Sequence, residues 1–288
     1  TGLNGSTMIY NKDLYDEFNI PHDTVWDWDM LLEVGKEIHQ KDPEKHLIGV
    51  DLPSTLLMLK AYVNQISGNQ WVTDDYEMGF DRDTLVKGFT YLKELVDNGV
   101  VERYEQMMLF SEKYQDSPSW TNKQAIVSPQ WISVMSAYKK DDTFNLDTTR
   151  FPVAKDHKTT SIVVRPSQVL SISNNSKNKE AAAEFLNWWY NDEEAIEILG
   201  DVRSVPPTVR GREKLVELDL IDPAVAKGVD VALENIGLLE GRISTNVELE
   251  KITKDEIEKI GFGQTTPEEA ADTMIEAYTK KLEELKKQ

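Results

Sequence analysis

The chain has 288 residues, with 32 basic and 51 acidic side chains and a formal net charge of −19 at pH 7. A length above about 250 residues favours two packing units, and the negative charge disfavours anionic partners such as nucleic acids and lipid head groups. The absence of cysteine excludes disulfides, thiolate metal sites and cysteine nucleophiles, and no apolar run reaches the about 20 residues that span a bilayer.

The first residues have the character of a protein interior rather than of a leader. Residues 8–11 have the composition of a strand end and run directly into a helical pattern at 12–18. No initiator methionine, charged leader, apolar leader segment or cleavage site precedes them. We therefore expect that a preceding part of the protein is absent from this sequence.

Helices and short extended segments alternate in the first half of the chain. Apolar residues at helical spacing predict helices at 26–39, 54–66 and 84–98. Extended segments are predicted at 46–51, 125–128, 150–154 and 162–173. Asp83 can cap the third helix and Gly99 can end it, whereas Pro129 is expected to break the strand that precedes it.

From Ser176 onward the chain is almost wholly helical. Ser176 is predicted to cap a helix with one apolar face, formed by Ala182, Phe185, Leu186 and Trp189. Further helices are predicted near 210–218, 222–237, 247–260 and 267–287. Thr266, Pro267 and Glu269 supply the N-cap, N1 and N3 signals of the last helix. Interleaved strands and helices followed by a helical tail predict an α/β fold.

Motifs for catalysis or metal binding do not stand out. The four histidines are scattered without metal-ligand spacing, at His22, His39, His46 and His157. The acidic loop at 74–83 lacks the register of an EF-hand, and no glycine-rich phosphate loop or Gly-x-Ser-x-Gly motif is present. With 51 carboxylates, a glycosidase pair cannot be argued from the sequence. We predict no metal, no cofactor and no catalytic residue.

Five blocks of the sequence carry motifs in a common order. They are YNKDL at 10–14 with the Asn-Ile-Pro and Trp-Asp that follow, YLKELVDNG at 91–99, WTNKQAI at 120–126 with Pro-Gln-Trp at 129–131, ISNNSKNKEAAAEF at 172–185 and GQTTPEEAA at 263–271. Together they resemble bacterial extracellular solute-binding proteins of family 1, the maltose-binding-protein-like substrate receptors of carbohydrate ABC transporters. Lys123 and Pro129 depart from the pattern, since each stands where the family usually has glycine.

The resemblance implies an α/β fold of the periplasmic-binding-protein type, type II, in which two lobes hold a ligand between them. It assigns 1–155 to the crossover strand and the C-terminal lobe, and 156–200 to a returning segment of the N-terminal lobe. It assigns 201–288 to helices that pack on the C-terminal lobe and the hinge. The opening part of the N-terminal lobe, with half of the binding cleft, would then precede this sequence.

The resemblance also implies which residues contact a sugar. Trp131, at the exit of a strand, is expected to stack its ring on the apolar face of a pyranose, with Gln130 beside it. Asp51, Ser54 and Thr55 lie at a strand-to-helix junction that faces the ligand in relatives. Two alternatives remain open: Trp131 is a further core tryptophan, and the junction residues cap the helix that follows them.

Two arginines complete the candidates. Arg203 and Ser204 lie in a loop that faces the cleft in the family, where a guanidinium could grip vicinal hydroxyls or a uronate carboxylate. A surface ion pair is the alternative role for Arg203. Arg165 and Gln168 are further candidates in the crossover, and they could instead satisfy backbone groups of the hinge. Three other tryptophans are expected in a core, namely Trp120, Trp188 and Trp189.

The implied function is that of a receptor for a sugar or oligosaccharide, which closes about a hinge and presents its ligand to permease subunits. We expect a monomer without nucleic-acid partners, tethered outside the cell membrane by a lipid anchor on the absent N-terminal part. A carbohydrate-active hydrolase or lyase, and a same-fold receptor for a peptide or polyamine, are the alternatives. Without its partner lobe the chain is expected to bind weakly or not at all, and 156–200 to expose apolar surface.

Overall fold

The computed structural model describes residues 2–110, 113–201, 205–238 and 240–287. The strands are β1 Gly2–Asn11, β2 His46–Ile48, β3 Ala125–Trp131, β4 Leu146–Thr149 and β5 Val164–Gln168. The helices are α1 Lys12–Glu17, α2 Trp28–Lys41, α3 Leu52–Ser67, α4 Arg82–Asp97, α5 Tyr104–Met107, α6 Pro118–Thr121, α7 Met135–Tyr138, α8 Lys179–Asn191, α9 Glu193–Leu199, α10 Val209–Glu217, α11 Pro223–Glu234, α12 Val247–Gly261 and α13 Pro267–Leu285. The predicted mixture of strands and helices is confirmed.

The long strand β1 organises the sheet, because it pairs with three other strands. Its second half runs antiparallel to β3, with Ile9 opposite Ser128, and antiparallel to β4 on its other side. Its first residues pair instead with β5, where Asn4 lies opposite Arg165. The strand order is β2-β3-β1-β4, and β2 runs parallel to β3. Its edges are paired with other strands and both of its faces are covered by apolar clusters, so nine of its ten residues are buried.

Two buried clusters lie on the two faces of β1. Successive side chains of a strand point to opposite faces, and Met8 and Tyr10 accordingly join one cluster while Ile9 joins the other. The first cluster is packed between α2, α3, α4, α12 and α13, and the second lies under α10 and α11. Trp120 is buried in the second cluster, as the sequence predicted.

The predicted extended segments are only partly strands. β3 continues through Pro129 to Trp131, whereas the sequence predicted a break at that proline. β2 ends at Ile48, opposite Val127, so one side of β3 is already open at the level of Pro129 and no ladder bond is lost there. No strand is formed by residues 150–154, which the structure describes without regular structure.

The helix ends follow local capping chemistry. Asp81 rather than Asp83 caps α4, because its Oδ1 accepts the Thr84 N–H at 2.8 Å. At α13 the predicted capping box is confirmed, since Thr266 and Glu269 accept each other's backbone N–H at 3.2 and 3.1 Å.

Helix α8 is an exception to the buried packing. Its N-cap is Asn178 rather than the predicted Ser176, and none of its residues is buried. Phe185 is 51% exposed, and its ring lies 5.8 Å from the rings of Trp188 and Trp189. The prediction that these two tryptophans lie in a core is therefore wrong, because no described element covers the apolar face of the helix.

Candidate functional site

An open groove of 190 Å³ lies where the end of β3 meets α3, β5 and α12. α3 contributes an apolar wall, β3 an aromatic ring and β5 a guanidinium, while α12 and the segment before it add charged groups. The groove is lined by Pro53, Leu56, Leu57, Lys60, Trp131, Arg165, Glu240, Glu250 and Lys254. Two of the residues that the sequence singled out, Trp131 and Arg165, are thereby brought together.

Trp131 is the last residue of β3 and is only partly buried. Its backbone pairs with Ser6 of β1, which fixes the ring at the exit of the strand. The guanidinium carbon of Arg165 lies 4.0 Å from the centre of that ring. This is within the range of a cation–π contact, so the aromatic face already attracts a polar, planar group.

The guanidinium of Arg165 has N–H groups that are not engaged in hydrogen bonds to the described residues. Its side chain is 47% exposed, and its nearest charged neighbour is the Glu240 carboxylate, with 3.5 Å between Nη1 and Oε2. No described residue accepts a hydrogen bond from the guanidinium. Since arginine carries five N–H donors in a fixed plane, the edge of this group remains available to a ligand.

Lys60 is a buried cation at the floor of the groove and is only 7% exposed. Its ammonium donates to the Ser244 carbonyl at 2.8 Å and to the Glu250 carboxylate at 3.0 Å, and it lies 3.4 Å from Glu240. A buried charge needs such partners to offset its desolvation. Glu240 therefore links Lys60 to Arg165, and the three side chains form one network.

The junction residues Asp51, Ser54 and Thr55 are buried at the start of α3. Asp51 Oδ1 accepts the Ser54 N–H at 2.9 Å, Ser54 Oγ accepts the Asp51 N–H at 2.9 Å, and the Thr55 hydroxyl donates to the Asp51 carbonyl at 2.8 Å. These bonds form a complete capping box. The three residues hold the first turn of α3 in place and do not line the groove, and their direct contact with a ligand stays a prediction.

The remaining candidates lie apart from Trp131. Gln130 is 6% exposed and points to the other face of β3, where its amide lies 3.5 Å from the Ser128 hydroxyl. Gln168 pairs with Gly2 across β1 and β5. Arg203 and Ser204 lie outside the described residues, so their contact with a ligand stays a prediction.

Sequence reasoning missed the four other charged residues of the groove, namely Lys60, Glu240, Glu250 and Lys254. Lys60 gives a usable signal, because a lysine within the apolar run 56–63 must meet a buried partner. No comparable signal marks Glu240 and Glu250, because nothing in the sequence distinguishes these two acidic residues from the other acidic residues among the 51.

The described residues include no group of three or more His, Cys, Asp or Glu side chains that could hold a metal ion. Within the same ranges, no helix is long and apolar enough to cross a bilayer. The groove presents an aromatic ring, hydrogen-bonding groups and fixed charges to a ligand.

Residues 2–196 match the family model described as bacterial extracellular solute-binding protein. Similar solved structures cover nearly the whole chain. A periplasmic solute-binding protein from Pectobacterium atrosepticum has a TM-score of 0.85 at 22% identity, over 98% of this chain and 72% of that one. A periplasmic oligogalacturonide-binding protein from Yersinia enterocolitica, in complex with saturated digalacturonic acid, has a TM-score of 0.82 at 21% identity, again over 98% and 72%.

A de novo designed cysteine esterase is also similar, with a TM-score of 0.87 at 20% identity over 99% of this chain and 72% of that one. At sequence identities of about 20%, structural similarity shows a shared fold and does not show a shared site chemistry. The predicted α/β fold is confirmed by these likenesses.

Proposed function

Because the chain belongs to the family of bacterial extracellular solute-binding proteins, we propose that it is a receptor that binds a sugar or oligosaccharide in the groove beside Trp131. The bound ligand is presented to the permease subunits of an ABC importer. The family is extracellular, so the protein works outside the cytoplasm. The observation that carries the proposal is the partly exposed Trp131 ring at the end of β3, with charged groups around it.

The chemistry of the groove suits a sugar. A pyranose ring has an apolar C–H face that stacks on an aromatic ring, and its rim of hydroxyls needs fixed donors and acceptors. Arg165 lies over one face of the Trp131 ring, so the proposed stacking uses the other face, and the network of Lys60, Glu240 and Arg165 offers both kinds of polar group. Because these side chains hold one another, little ordering is needed when a ligand arrives. The digalacturonic acid bound by the Yersinia protein supports an oligosaccharide as the ligand.

The lobe assignment supplies the mechanism of the proposal. We assign 1–155 to the crossover strand and C-terminal lobe, 156–200 to a segment of the N-terminal lobe, and 201–288 to helices on the C-terminal lobe and hinge. β1 and β5 pair antiparallel between the first two segments. A ligand that contacts both lobes favours the closed arrangement by its differential affinity.

An enzyme acting on carbohydrate is the competing hypothesis. The carboxylates of Glu240 and Glu250 are both engaged by the Lys60 ammonium, whereas a glycosidase needs its two carboxyl groups free to act on the glycosidic bond. The likeness to a designed esterase concerns the fold. The arrangement of the groove therefore favours binding over turnover.

The substitution Trp131→Ala tests the proposal, with Trp189→Ala as the matched control on α8. Ligand binding raises the melting temperature by mass action, so a panel of neutral and acidic saccharides, peptides and polyamines at millimolar concentration identifies the ligand class even when affinity is weak. Calorimetry then gives the affinity. We expect Trp131→Ala to lower sugar affinity at least about tenfold, as for buried aromatic anchors, and Trp189→Ala to leave it unchanged.

Three outcomes contradict the proposal. One is saturable binding of a peptide or polyamine but of no saccharide. Another is release of a cleaved saccharide product without saturable binding. The third is equal sugar affinity in the Trp131→Ala variant and the original protein.

A lipid anchor would keep such a receptor at the outer face of the membrane, and labelling of the native protein with a radioactive fatty acid tests for it.

A further inference from the structure

The groove beside Trp131 has a charge of the opposite sign to that of the whole protein. The chain carries a net charge of −19, yet the nine residues that line the groove include three cations and two carboxylates. A surplus of cations in a concave site focuses its field on the ligand that enters there. The sign of this local charge bears on which saccharide the groove accepts.

The three cations differ in how far they are already neutralised. Lys60 contacts both Glu240 and Glu250, so its charge is taken up within the protein. Arg165 has only the longer contact to Glu240, without a hydrogen bond. Lys254 forms no ion pair with any described residue. Three cations against two carboxylates leave one net positive charge for a ligand, and it lies with Arg165 and Lys254, the two cations that are least neutralised.

The orientation of Arg165 indicates the shape of the acceptor. Its guanidinium lies over the Trp131 ring, with 4.0 Å between the guanidinium carbon and the ring centre. At this distance the guanidinium contacts the ring without donating a hydrogen bond to any described residue, so its in-plane N–H groups can be donated to a ligand. A planar carboxylate accepts two such N–H groups side by side, which makes this pair among the stronger hydrogen-bonded pairs in proteins.

We propose that the groove selects a saccharide that carries a carboxylate, that is, a uronic acid unit. Arg165 binds the carboxylate through paired N–H···O bonds, and Lys254 adds a second positive charge nearby. Glu240 stays in place because Lys60 holds it. The inference rests on the proposed receptor function and names the class of sugar that the receptor takes.

The test compares digalacturonate with galactobiose, a neutral disaccharide of galactose. Binding is measured by calorimetry on the full-length natural protein and on its variants Arg165→Gln, Lys254→Gln and Arg103→Gln. Arg103 is the matched control, because its side chain is 77% exposed and lies outside the groove. The melting temperature of each variant verifies that it is folded.

We expect digalacturonate to bind more tightly than galactobiose. Arg165→Gln should lower the affinity for digalacturonate about 10- to 100-fold, since hydrogen bonds to charged groups contribute that much, and the affinity for galactobiose less than about threefold. Lys254→Gln should lower the digalacturonate affinity less and reduce its dependence on salt. Arg103→Gln should change neither affinity.

Equal affinities for the two disaccharides would overturn the inference and leave the receptor function standing. Tight digalacturonate binding that Arg165→Gln does not weaken would also overturn it, because the carboxylate would then bind elsewhere. If no saccharide of any kind binds to saturation, the proposed receptor function itself fails. The two failures are therefore told apart by the neutral sugar.

Discussion

Glu102 is a buried carboxyl group outside the groove. It is 7% exposed, and its Oε1 has no hydrogen-bond partner among the described residues. Burial raises the pKa of this carboxyl from its usual 4.5 to about 7, and the Tyr114 hydroxyl lowers it only in part. Between these two pH values, the folded protein therefore holds a proton that the unfolded chain releases.

Because the folded state binds more protons, the free energy of unfolding falls as the pH rises from 4.5 through about 7. Glu102→Gln removes the titrating group, so we expect it to raise stability at pH 8 by on the order of 2 kcal/mol and to change it little at pH 4. Urea unfolding at the two pH values measures the difference.

Glu105→Gln is the matched control for this prediction, because Glu105 is a nearby acid whose side chain is 62% exposed. We expect no change in its pH profile. A pH profile of Glu102→Gln that runs parallel to that of the original protein would contradict the assignment.

At single positions, sequence reasoning could find residues whose role is local. The aromatic ring at the end of β3 is visible from the sequence, since Trp131 follows an apolar strand. The ion network behind it is not, because Glu240 and Glu250 reach Lys60 across more than half of the chain. Their partnership is fixed by tertiary packing, which no local pattern encodes.

Among the elements, helices α8 and α13 differ in how they are held. α13 buries six residues, including Met274, Tyr278 and Leu282, against its neighbours. α8 buries none, and its contacts are made mainly with α9. Local opening costs little free energy where few apolar contacts are lost. The two helices should therefore differ in dynamics, although both carry an apolar stripe.

Hydrogen exchange measured by mass spectrometry tests this difference. We expect the amides of α8 to exchange far faster than those of α13, because α8 opens without disturbing a core. Phe185→Ala should accordingly change the free energy of unfolding by no more than about 0.5 kcal/mol. Met274→Ala, in the buried face of α13, should cost about 2–5 kcal/mol. Equal protection of the two helices would mean that another surface covers α8.

The sequence predicted elements best where the signals lie within one element. The capping box of α13 and the apolar stripe of α4 depend on residues three or four positions apart. The continuation of β3 through Pro129 depends instead on where β2 ends. The exposure of α8 depends on which element lies opposite it. Neither fact can be derived from the segment alone.

For the whole molecule, the dominant physical feature is its net charge of −19. Like charges repel one another more strongly in the compact state than in the unfolded chain. Many surface ion pairs are present, but exposed pairs contribute little each. Self-repulsion should therefore determine how the stability of the protein responds to salt.

We expect the melting temperature to rise by about 2 °C or more when ionic strength increases from about 0.01 M to about 0.15 M, which shortens the screening length from about 30 to about 8 Å. Differential scanning calorimetry in sodium chloride measures the shift. Choline chloride at equal ionic strength should give the same shift if the effect is screening rather than binding of sodium. A melting temperature that falls with salt would show that ion pairs outweigh repulsion.

β1 pairs with strands that are synthesised much later than β1 itself. β1 leaves the ribosome before β3, β4 and β5, and its residues reach partners as distant as Ser128 and Arg165. Until those partners are synthesised, both edges of this apolar strand are open to pairing with other chains. Closure of the central sheet therefore waits until β5, which ends at Gln168, has been synthesised.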